Sequence, residues 1–71
     1  MSFEELWKQV KELRILPDTA IAEVPSILTS ETKKKLMKYT PVEVAEIVAA
    51  AIDEINHGSV ETVNSLVRKH I

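Results

Sequence analysis

Residues 40–58 read TPVEVAEIVAAAIDEINHG, and this stretch decides the fold. Thr40 is a helix N-cap, Pro41 occupies the first helical position, and Glu43 is placed to close a capping box onto Thr40. Gly58 supplies the stop just past the last turn. On a helical wheel Glu43, Glu46, Ala50, Asp53 and Glu54 share one arc of about 100°. The rest of the helix is apolar: Val42, Val44, Ala45, Ile47, Val48, Ala49, Ala51, Ile52 and Ile55. A surface helix normally has a narrow apolar stripe and a broad polar face. Here the proportions are reversed, so the helix needs cover on more than one side. The remaining segments are expected to pack around it, and any face they leave bare calls for another chain.

The 71 residues suffice for one domain, spanning 1–71. A chain of this size buries only about 60% of its unfolded surface. It has no cysteine and therefore no disulfide staple, and two histidines without cysteine exclude the common structural zinc frameworks. Helix packing or oligomerisation must supply the stability. A net charge of −2 gives no general attraction to nucleic acid or anionic lipid. No apolar run has the length of a membrane span, and the acidic, amphipathic start is unlike a signal peptide. A cytoplasmic protein without membrane contact is the expectation. One Gln, two Asn and no Cys, with many Lys, Glu, Ile and Val, lean towards a thermophile composition.

Working outward, Ser2 and Glu5 suggest a second capping box. The helix they open carries Phe3, Leu6, Trp7, Val10 and Leu13 on one face, with Arg14 at its edge, and Leu16-Pro17 is read as its end. Between residues 17 and 29, Asp18 suggests a cap for a short helix over 19–24 that Pro25 stops. Ile21, Val24, Ile27 and Leu28 keep this segment on the core. Thr29 or Ser30 caps the next helix, 31–39, with Leu36 and Met37 inward. After the turn His57-Gly58-Ser59, Ser59 is read as the cap of a last helix over 60–71, with Val60, Val63, Leu66, Val67 and Ile71 on one face. The fold expected is all-α: a small bundle of four main helices, with room for a short fifth, around a central apolar helix at about 41–57.

Four features are candidates for chemistry. Lys33, Lys34, Lys35 and Lys38 cluster on one helix and are placed for phosphate or acidic-partner contact. The bland alternative is a solvated face whose cations suit a helix C-terminus, and the absence of arginine with Glu31 alongside favours it. The pair of helices around Gly58 has a helix-turn-helix outline that would offer Glu61, Asn64, Ser65 and Arg68 to a groove, but Glu54 and Asn64 stand where that motif needs a small and an apolar residue. His57 lies near Asp53, Glu54 and Glu61, while His70, on the apolar face of its own helix, is expected far from it, so no metal site is assigned. The acidic arc with Glu46, Ala50, Asp53 and Glu54 is a candidate protein interface with Ala50 as its close-approach point. Trp7 joins it as an anchor if exposed and belongs to the core otherwise.

No nucleophile elbow, phosphate loop or catalytic constellation is present, so no enzymatic activity and no cofactor are expected. The reading is a non-enzymatic helical protein–protein interaction module, self-associating or a small subunit of a larger complex. The alternative is an accessory nucleic-acid-binding factor touching phosphates through the lysine-rich helix.

Overall fold

The structure, a computed structural model, describes residues 2–71. Among them are five helices: α1 (Phe3–Glu12), α2 (Asp18–Ile27), α3 (Ser30–Leu36), α4 (Pro41–Asn56) and α5 (Val63–His70). The all-α expectation holds.

Capping chemistry sets most of the boundaries. At α4 the Thr40 hydroxyl accepts from the Glu43 N–H at 3.3 Å, and the Glu43 carboxylate accepts from the Thr40 N–H at 3.0 Å. Its far end is a Schellman closure: Gly58 N–H donates to the Ile55 carbonyl and Ser59 N–H to that of Glu54, both at 3.0 Å. Gly58 takes φ +95° there, a conformation glycine adopts without steric cost. Hydroxyls of Ser2, Thr29 and Thr62 cap α1, α3 and α5. Thr29 is therefore the cap of α3, one of the two residues named for it.

Four boundaries differ from the sequence reading. Helix α1 stops before Leu16-Pro17, because Arg14 adopts φ +55° at the position where α4 has Gly58. Helix α2 begins one residue before 19 and runs through Pro25 to Ile27. Helix α3 ends at Leu36, and residues 37–39 form a turn. The last helix starts at Val63 with Thr62 as its cap, so Ser59 caps no helix, its hydroxyl accepting instead from the Glu61 N–H at 3.3 Å, and Val60 stands 99% exposed in the connection.

Pro25 explains how α2 continues. Proline has no N–H, so the Ile21 carbonyl loses the donor that residue 25 would give it. The Trp7 indole N–H takes that place, donating to the Ile21 carbonyl at 2.9 Å. A tertiary bond from α1 thus substitutes for the missing helical one, and the orphaned acceptor is satisfied.

The core draws Leu6, Trp7 and Val10 from α1, Leu16 from the following connection, Ala20 and Val24 from α2, then Leu28 and Leu36. Val44, Ala45, Val48 and Ala51 of α4 and Leu66 and Val67 of α5 complete it. Packing is shared between two helices rather than centred on one. Helix α4 packs chiefly on α5 and then α1, while α5 also receives α2 and α3. The expectation that all segments gather on the central helix is corrected: α5 is the second organiser. One buried polar cluster secures it. The fully buried Thr32 hydroxyl donates to Asn64 Oδ1 at 2.9 Å, and the Thr29 N–H donates to the same oxygen at 3.1 Å.

Candidate interaction surface

Buried and exposed residues along α4 show where cover fails. Val44, Ala45, Val48 and Ala51 are sealed, but Ile52 and Ile55, on the same face one or two turns on, are only partly covered. They line a groove of about 270 Å³ with Ala20, Val24 and Ile27 of α2 and Val63 of α5. Ile27 was expected on the core; its side lies open, at 44% exposure. The cause is geometric. Val24 and Leu28 point inward at helical spacing, which turns Ile27 to the rim once α2 is extended past Pro25. Among the described residues Glu23 is the one ionisable residue lining the groove. Pro17 lines the groove and also a neighbouring depression of about 560 Å³ that carries Lys11, Arg14 and Asp18.

The lysine cluster is divided by its surroundings. Lys33 Nζ sits 5.3 Å from the centre of the Phe3 ring, a cation–π contact to α1. Lys35 pairs with Glu31 at 3.9 Å, and Arg68 of α5 reaches the same carboxylate at 3.9 Å. Lys34 and Lys38 are exposed and form no ion pair among the described residues. Two of the four lysines are thus engaged within the chain.

The acidic arc is likewise partly answered. Glu46 is exposed, and Ala50 beside it is half-buried rather than fully in water. Asp53 lies 3.5 Å from His57, whose Nδ1 also meets the Asp53 carbonyl oxygen at 2.8 Å. Glu54 turns the other way. His70 Nε2 donates to its carboxylate at 2.6 Å, with Lys69 at 3.9 Å. The His70 hydrogen bond, foremost, holds the Glu54 carboxyl below its ordinary value of 4.5. The sequence grouping of Glu54 with His57 is corrected: Glu54 belongs with His70, and α5 supplies the basic residues that the arc lacks along α4. Among the described residues no group of three His, Cys, Asp or Glu is placed to hold a metal ion.

Trp7 is 7% exposed, stacked on Phe3 at 5.7 Å and bonded through its N–H. Its role is in the core, and it offers no surface anchor. The helix-turn-helix outline also dissolves. Asn64 is spent on the α3 cap, Arg68 on Glu31, and the connection between α4 and α5 runs from residue 57 to 62, longer than the 3–4 residues such a turn uses.

Leu13, placed on the apolar face of the first helix by the sequence, is exposed, and so is Ile15. Leu13 (40%) and Ile15 (46%) flank the left-handed Arg14. Leu13 keeps a right-handed helical backbone as the C-cap of α1 and is exposed at that end, and with no glycine at residue 14 nothing in the local sequence signals the break. Among the described residues no helix is long and apolar enough to cross a membrane. Comparison with known proteins yields no matching family model, no similar curated protein and no similar solved structure.

Proposed function

We propose that the protein is a non-enzymatic helical interaction module that self-associates or serves as a small subunit of a larger complex, and that the groove between α2, α4 and the start of α5 is its docking surface. One observation carries this reading: Ile27, Ile52, Ile55 and Val63 line one groove that the chain's own helices leave only partly covered. Such troughs accept the apolar face of a helix or an extended apolar segment. The surface differs from the acidic arc considered first, because Glu54 and Asp53 have partners within the chain while the groove has none.

The test compares the wild type with Ile27→Glu. Ile27 is largely exposed, so the substitution should leave the fold intact, as read by circular dichroism and the thermal midpoint. Self-association by analytical ultracentrifugation, or capture of a protein from native lysate by tagged chain, should be present for wild type and lost for the variant. Association unaltered by Ile27→Glu, or absent in both, would refute the groove as the docking surface.

A further inference from the structure

The groove adjoins a second depression through Pro17, and the two carry opposite charge. The groove wall holds Glu23; the neighbouring depression holds Lys11 and Arg14, with Asp18 at its edge. None of these four groups forms an ion pair among the described residues, although ion pairs occur elsewhere on the surface. The connection carrying Arg14 also exposes Leu13 and Ile15, an apolar and basic projection beside an apolar and acidic trough.

From this juxtaposition we infer that the occupant of the groove is a second copy of this chain, docked about a two-fold axis near Pro17, so that the Lys11–Arg14 edge of each copy meets Glu23 of the other. The inference rests on the groove being the docking surface and adds what fills it. Both halves of a complementary pair lie side by side on one molecule, which is the requirement of an isologous interface: each residue i meets j, and j meets i. Leu13 and Ile15 then supply the apolar side chains that enter the partner's trough against Ile27 and Ile52. A stable interface of standard kind needs at least about 600 Å² from each copy. That is roughly an eighth of the 4593 Å² surface of the chain. The left-handed Arg14 fits the same account, since glycine would hold that backbone more easily and arginine brings a cation to the seam.

Reciprocal charge reversal tests the pairing. By sedimentation equilibrium from about 1 µM to about 1 mM, a range that covers ordinary weak to moderate affinities, the wild type should show a monomer–dimer equilibrium. Glu23→Lys and Lys11→Glu should each weaken it about tenfold or more, because two-fold symmetry places every reversal in the seam twice. Mixing the two variants should restore dimer, now as a heterodimer, and the double variant Lys11→Glu/Glu23→Lys should restore the homodimer. Rescue in the mixture also shows that neither variant was merely misfolded. A wild type that stays monomeric at the highest concentration would overturn the inference, as would a dimer indifferent to both reversals or one that mixing fails to rescue. The broader reading fails separately. A monomer that captures another protein in an Ile27-dependent way refutes the second copy and keeps the groove; a monomer that captures nothing refutes both.

Discussion

Replacing Trp7 by phenylalanine tests how α2 tolerates Pro25. Phenylalanine keeps an aromatic ring against Phe3 but removes the N–H that serves the Ile21 carbonyl. Leaving a buried acceptor unsatisfied costs about 1–3 kcal/mol. Ile21 is half-buried, so water recovers part of this and about 1–1.5 kcal/mol remains. The smaller ring at a position only 7% exposed loses about 1 kcal/mol more in apolar burial. Trp7→Phe should therefore cost about 2–2.5 kcal/mol, a large share of the roughly 4–10 kcal/mol that a domain of this length has in total. The diagnostic partner is Pro25→Ala. Alanine returns an N–H that can reach the Ile21 carbonyl along the helix, which makes the indole bond redundant. In that background Trp7→Phe should cost only the packing loss of about 1 kcal/mol. The double-mutant cycle should show a coupling of about 1–1.5 kcal/mol between residues 7 and 25. Urea unfolding followed by far-ultraviolet circular dichroism gives all four stabilities without relying on tryptophan emission. A coupling within about 0.3 kcal/mol of zero would mean that the Trp7 N–H does not compensate for the proline.

Asn64→Ala should destabilise by about 1 kcal/mol in urea unfolding, since the Thr32 hydroxyl and the Thr29 N–H lose their acceptor on α5 while the Thr29 hydroxyl stays 3.1 Å from that of Thr32. Gly58→Ala and Arg14→Gly should change the stability measured by urea unfolding in opposite directions, by about 1 kcal/mol down and about 0.5 kcal/mol up, because both sites need a left-handed backbone and only one has glycine. Val48→Ala should cost about 2 kcal/mol at a sealed site, and Ile52→Ala should cost less than its larger side chain implies, because Ile52 borders the open groove. For Glu54 the folded carboxyl titrates below its ordinary value, so its contribution is complete above about 4.5 and is lost as pH falls through the folded value. Glu54→Gln should accordingly show a smaller drop in thermal midpoint between neutral and acid pH than the wild type does.

The parts of the fold legible in the sequence are those written in local chemistry. The Thr40–Glu43 box, Pro41 and Gly58 gave α4 both its ends, because each acts within four residues along the chain. Other features depend on contacts between segments distant in sequence. Pro25 reads as a helix stop until Trp7, in another helix, supplies a donor to Ile21. Arg14 carries no signal for a left-handed turn. Asn64 looks like a surface amide until it meets the cap of α3, 32 residues away from Thr32. The candidate surface followed the same pattern. An excess of apolar residues on residues 40–58 announced that something would be uncovered, but which face stayed open was decided by where α2 and α5 came to rest. The acidic arc lost its claim for the same reason: Lys69 and His70 arrive from α5, and periodicity within α4 is blind to them.

The claim that a second copy of this chain fills the groove can be read directly from isoleucine methyl groups. Seven isoleucines report on distinct surroundings, among them Ile15, Ile27, Ile52 and Ile55 near the proposed seam and Ile47 outside the groove. Methyl carbon–proton spectra recorded over a dilution series should show concentration-dependent shifts at Ile15, Ile27, Ile52 and Ile55, with Ile47 stationary. Shifts confined to Ile47, or none at any concentration, would contradict the account.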